Sequence, residues 1–125
     1  MTQQNVTKAH FRFQDLDIWK MAFRIANRLY DVADRIEERK LYRFAEQLRG
    51  SAMSLTNNIS EGSGAGSINE FRLFLNYTRR SIFECANIIL TLSHRNLIED
   101  TVHDELLKDL DHLSRKVLTF SKSLK

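Results

Sequence analysis

Residues 13–38 read FQDLDIWKMAFRIANRLYDVADRIEE, and the spacing of their apolar side chains decides the fold class. One stripe runs Ile18, Ala22, Ile25, Leu29, Val32 and Ile36 in alternating steps of four and three. That is the repeat of an α-helix, not the two-residue repeat of a strand. A second stripe runs Leu16, Trp19, Phe23, Ala26, Tyr30 and Ala33 with the complementary steps. Side by side, the two cover roughly half of the helix circumference. A helix in a monomeric bundle needs one stripe, so the second predicts self-association or a partner.

The same period continues along the chain. A second helix is predicted from Leu41 to Ile59, with Leu41, Phe44, Ala45, Leu48, Ala52, Leu55 and Ile59 on one face. Its middle is small (Gly50, Ser51, Ala52, Ser54), which predicts close approach of another helix backbone there. A break is expected over Glu61–Ser67. Ser67-Ile68-Asn69-Glu70 has capping-box spacing and opens a third helix, whose core face is Phe71, Phe74, Leu75, Thr78, Ile82, Cys85, Ile89 and Leu92. Leu73, Tyr77, Phe83 and Leu90 fall outside that face. Asn96 suits a left-handed stop. Asp100 or Thr101 is the expected cap of a fourth helix, with Val102, Leu106, Leu110, Leu113, Val117, Phe120 and Leu124 inward. Short connections then give an all-α, antiparallel up-down-up-down four-helix bundle over residues 13–125, preceded by a disordered arm over 1–12.

The 125 residues suit a single core. One cysteine allows no internal disulfide, residues 1–10 lack a secretory apolar stretch, and no run is long enough for a membrane span. The expectation is a cytoplasmic protein. The net charge of +3 is too small to argue for nucleic acid in a monomer, but a symmetric oligomer would repeat the chain's arginines around its surface.

Gly62, Gly64 and Gly66 spell G-x-G-x-G before a helix, as in a phosphate loop. No strand precedes them and no Lys-Ser/Thr follows, so they read as a connector. Asn58-Ile59-Ser60 spells a glycosylation acceptor, which has no consequence without secretion. The four histidines have no metal-ligand spacing, and Cys85 lies on a core face. Glu61 and Glu84 are more simply partners of backbone amides and arginines than a catalytic pair. No nucleophile, base and oxyanion site assemble, so neither an enzyme nor a cofactor or metal is expected. Two basic groups remain as candidate nucleic-acid contacts: Arg35, Arg39, Lys40, Arg43 and Arg49 around the first turn, and Arg72, Arg79 and Arg80 on the third helix. Tyr42 or Tyr77 could stack on bases.

Phe13-x-x-Leu16-x-Ile18-Trp19, Gln47-Leu48-Arg49 leading to Ser54, and Asn58-Ile59-Ser60-Glu61-Gly62 form a recognisable series, followed by Glu70-Phe71-Arg72-Leu73-Phe74-Leu75 and Ser81-Ile82-Phe83-Glu84. With these the chain resembles the bacterial four-helix-bundle family encoded in intervening sequences of the large-subunit (23S) ribosomal RNA gene. The chain departs from the family pattern in four places. Ser54-Leu55-Thr56 replaces Ser-Ile-Pro, Gly50-Ser51 replaces Arg-Ala, Ser60 replaces alanine, and the Phe-Pro ahead of helix two is missing. The resemblance implies a ring, most often a pentamer. Related bundles are accessory subunits of reverse transcriptases in diversity-generating retroelements.

The joint expectation is a non-enzymatic homo-oligomeric scaffold that binds RNA, DNA or a nucleic-acid enzyme such as a reverse transcriptase. The alternative is a protein–protein adaptor without nucleic-acid contact. Gln47, Ser54, Asn58, Glu61, Gly62, Ser81 and Glu84 are expected to serve structure, with Asn58 and Glu61 satisfying backbone and arginine groups at the end of helix two. Trp19, Phe23, Tyr30, Tyr77 and Phe83 are the expected oligomer interface.

Overall fold

The computed structural model describes residues 8–125; residues 1–7, within the arm read as disordered, lie outside the described residues. The described chain is all-α: a 3₁₀ turn over Arg12–Asp15, then α1 (Asp17–Glu38), α2 (Tyr42–Ser63), α3 (Ile68–His94) and α4 (Asp100–Ser123), with no strand among the described residues. Each helix packs on the next, and α4 also packs on α1. The pairs α1–α3 and α2–α4 are not neighbours. None of the helices is long and apolar enough to cross a membrane.

The predicted inward faces form one core. Ile18, Ala22, Ile25, Leu29, Val32 and Ile36 are buried, and so are Leu48, Leu55, Ile59, Leu75, Ile82, Ile89, Leu106, Leu110, Leu113 and Val117. The second stripe of α1 divides. Its alanines, Ala26 and Ala33, join the core, whereas Trp19 and Tyr30 are half-buried and Phe23 is exposed. The core therefore takes the small members of that stripe and leaves its aromatic members toward solvent.

Several helix ends differ from the sequence expectation. The first helix begins at Asp17, not Phe13, because Leu16 is extended (φ −73°, ψ 127°) and the residues before it close a separate turn, with the Phe11 amide donating to Gln14 Oε1 at 2.8 Å. Helix α2 runs through Gly62 to Ser63, beyond the predicted break. Gly62 remains helical where α3 crosses: a Cβ there would lie 2.8 Å from both Phe71 Cδ1 and Phe74 Cβ. The close approach of helix backbones falls here and not at Gly50, whose Cβ would meet open space. At α3, Ser67 Oγ accepts from the Glu70 amide at 3.1 Å, but Glu70 does not reach back, so half of the predicted box forms. The α4 cap is Glu99, with no side-chain hydrogen bond; Asp100 occupies the first turn, where its charge suits the helix dipole.

Two turns use left-handed residues, and neither is a glycine. Lys40 has φ 65° and Asn96 has φ 57°. After α1, the Leu41 amide reaches Ile36 O at 3.1 Å and the Lys40 amide reaches Glu37 O at 2.8 Å. After α3, Leu97 reaches Leu92 O at 2.8 Å and Asn96 reaches Ser93 O at 2.9 Å. Both are Schellman endings. Asn96 performs the predicted stop, while the glycines of the 62–66 segment have no positive φ.

Candidate functional site

Interhelical bonding sorts the basic residues into engaged and free. Arg49 on α2 donates to Asp34 Oδ1 at 2.7 Å and to Glu37 Oε1 at 2.5 Å on α1, and these bonds, to Asp34 first, raise its pKa. Arg72 at the start of α3 donates from Nε to Ser121 O at 3.2 Å and from Nη2 to Leu124 O at 2.5 Å, closing the end of α4. These two guanidinium groups are engaged within the fold. Arg35, Arg39, Lys40, Arg43, Arg79 and Arg80 have no ion pair or side-chain hydrogen bond among the described residues, and Arg79 Nε is buried without a partner. Arg35 borders a hollow with Asn96, Leu97 and Glu99; Lys40 borders another with Glu38 and Tyr42.

The motif residues separate into two sites. Gln47, Ser51 and Ser54 on α2 line one half of a groove with Glu84 of α3, and Ser81 lines the other half, which is bordered by α3 residues alone. Glu84 lines both of its halves, of about 340 and 350 Å³, with Arg43 and Glu46 at one side and Tyr77 and Arg80 at the other. The sequence carries a signal for this groove. Positions 47, 51 and 54 and positions 77, 81 and 84 share the same i, i+4, i+7 spacing, so each trio lies along one helix face.

Asn58, Glu61 and Gly62 belong to the other end of α2. Asn58 Nδ2 donates to Ser54 O at 3.0 Å, satisfying a backbone carbonyl within the helix rather than at its end. Glu61 is exposed and has no ion pair or side-chain hydrogen bond, contrary to the expected arginine contact. The reason is the longer helix: the terminal carbonyl is that of Ser63, and Arg12 donates to it from the segment ahead of α1. Arg12 was not foreseen, since its partner lies 51 residues away in sequence. Glu61 is not among the residues lining the Glu84 groove, so the two carboxylates do not form a pair.

Cys85 is buried in the core, and the pKa of its thiol is pushed up to about 12, by burial first and then by the Glu84 charge. Among the described residues no group of three His, Cys, Asp or Glu side chains is placed to hold a metal ion.

The predicted interface residues occupy two separate faces. Trp19 stacks on Phe23 with ring centroids 4.8 Å apart, and Phe13 meets Trp19 edge-on at 5.3 Å. Tyr30 Oη lies 3.6 Å from Sδ of the exposed Met53 on α2. The outer side of α3 exposes Leu73, Tyr77, Phe83 and Leu90, with Phe83 at 63%. Helices α1 and α3 are not neighbours, so these apolar faces do not join into one patch.

A search of curated proteins finds no match to this chain. The family model described as 23S rRNA-intervening sequence protein matches residues 14–119, which takes in α1, α2, α3 and most of α4, and the chain belongs to that family.

Proposed function

We propose that the chain is an antiparallel up-down-up-down bundle that assembles with copies of itself into a ring, a pentamer, and serves as a non-enzymatic cytoplasmic scaffold for RNA, DNA or a nucleic-acid enzyme such as a reverse transcriptase. The observation that carries the reading is the pair of apolar faces on non-neighbouring helices. A head-to-tail ring joins one face of each subunit to a different face of the next, and so needs two. The Trp19–Phe23–Tyr30 face and the Leu73–Phe83–Leu90 face supply them. Three contacts support the antiparallel order. Arg12, ahead of α1, meets the end of α2; Arg49, early in α2, meets the end of α1; Arg72, early in α3, meets the end of α4.

The nucleic-acid part rests on the basic side chains that the fold does not engage. Arg35, Arg39, Lys40 and Arg43 surround the α1–α2 turn, while Asp34 and Glu37, which interleave with them in sequence, are bonded to Arg49. Repetition around a ring multiplies this group. Light scattering tests the assembly: a solution mass near five times 14.7 kDa is expected, and a monomer overturns it. Retention of generic RNA tests the contact: it is expected to fall steeply from low to physiological salt. Absence of binding even at low salt rejects direct nucleic-acid contact and leaves a protein–protein adaptor, which the same exposed faces would serve.

A further inference from the structure

The groove between α2 and α3 has a composition that selects its ligand. Ser51 and Ser81 are each only 7% exposed, and both line the groove. A serine inside a helix can bond a carbonyl about one turn back. Ser60, Ser63 and Ser123 do so, at 3.0, 2.8 and 2.7 Å. Ser51 and Ser81, like Ser54, Ser93, Ser114 and Ser121, make no such bond, and neither hydroxyl is sealed from solvent without a partner. Two nearly buried hydroxyls are thus left open to the groove.

Around them stand two carboxylates without an ion pair, Glu46 beside Arg43 and Glu84 shared by both halves, and two guanidinium groups without one, Arg43 and Arg80. A ligand that is only an anion would meet Glu84, and one that is only a cation would meet both arginines. The groove suits a ligand carrying an anion and, a few ångströms away, N–H donors. A nucleotide within a single strand has this arrangement, and Tyr77 at the groove border offers its base a ring face. A carboxylate accepts on two oxygens. Guanine alone among the common bases presents two adjacent N–H donors, N1–H and N2–H, on its exposed pairing edge.

We propose that this groove holds one guanine nucleotide of a single-stranded nucleic acid, with Glu84 accepting from N1–H and N2–H and with Arg43 and Arg80 facing the phosphates. The assignment rests on the nucleic-acid reading above and gives it a base preference. Phosphate contacts position a strand, and base contacts specify it.

The test is fluorescence anisotropy at low salt with a short labelled oligouridine, the same strand with one central guanosine, and the same strand with inosine, which lacks the N2 amine. Matched deoxyribose strands separate RNA from DNA. The guanosine strand is expected to bind roughly tenfold more tightly than oligouridine, with inosine between them. Glu84→Gln is expected to bring the ratio of guanosine-strand to uridine-strand affinity to about one, while its lost charge strengthens the hold on oligouridine; exposed and outside any ion pair, it is replaceable without loss of fold. Arg80→Ala is expected to weaken both strands alike. Equal affinity of the unaltered protein for guanosine and uridine strands overturns the guanine site while the nucleic-acid reading stands. So does a preference that survives in Glu84→Gln. Failure of every strand to bind overturns the nucleic-acid reading itself, and the guanine site with it.

Discussion

Gly62 and Gly50 lie on the same helix and differ in what stands beyond their α-carbons. Adding a methyl group at Gly62 drives it against Phe74 Cβ, which can move only with the α3 backbone, as well as against the Phe71 ring. Overpacking of this kind costs about 1–3 kcal/mol, less the gain of up to about 1 kcal/mol from replacing a helical glycine. Gly62→Ala is therefore expected to lower stability by up to about 2 kcal/mol in urea unfolding. Gly50→Ala, with open space around it, is expected to raise stability by about 0.5–1 kcal/mol. Opposite signs at the two glycines check the placement of the close helix crossing. Cys85 provides a residue-scale prediction in pH. Its folded pKa, about 12, lies above the unfolded value of 9.0, so the unfolded chain releases its proton first as pH rises. The sign is thus destabilising: any contribution is intact below pH 9 and is lost between pH 9 and about 12. Unfolding of Cys85→Ala is expected to lack this alkaline slope, and native Cys85 is expected to resist thiol reagents at pH 8 until the chain unfolds.

At the scale of elements, helix faces were legible in the sequence and helix ends much less so. A face is written in many residues at once, and the inward stripes of all four helices fall on the core for that reason, Phe74 of α3 excepted. An end depends on one or two residues whose partners are remote. The Gly62 position looked like a break because the chemistry holding it helical, Phe71 and Phe74, lies on another helix. Likewise, the charges of Arg43 and Arg49 look alike in sequence, and only the crossing of α1 and α2 shows which one meets Asp34 and Glu37. The groove was partly legible, as two trios of the same spacing, but which helices would face each other was not. Asn96 was readable because asparagine tolerates the left-handed region, whereas Lys40 in the equivalent place after α1 gave no such sign. A β-carbon in that conformation costs about 1–2 kcal/mol, part of which a glycine returns as entropy in the unfolded chain. Lys40→Gly is expected to raise the thermal midpoint, by a net stabilisation of about 0.5–1 kcal/mol, because its amide already makes the required bond to Glu37 O. An unchanged or lower midpoint would contradict the Schellman ending assigned to this turn.

For the whole molecule, the decisive question is whether the apolar faces of α1 and α3 meet each other or meet their own kind. Phe23 is 48% exposed and Phe83 is 63% exposed, so a charge at either position disturbs the proposed subunit contact and not the core. If identical faces paired, as in a two-fold dimer, one substitution would abolish its own contact and the other would do nothing. In a head-to-tail ring each contact needs both faces, so Phe23→Asp and Phe83→Asp should each reduce the particle to a folded monomer with unchanged helical circular dichroism. Mixing the two variants then gives a sharper outcome. The first retains a sound α3 face and the second a sound α1 face, so one contact can form between them, and the pair is capped at both outer ends. A one-to-one heterodimer, twice the 14.7 kDa chain mass by light scattering, is the expected product, with no growth beyond it. Two monomers that ignore each other on mixing would show that the faces of α1 and α3 do not join, and the ring would have to be built from other surfaces.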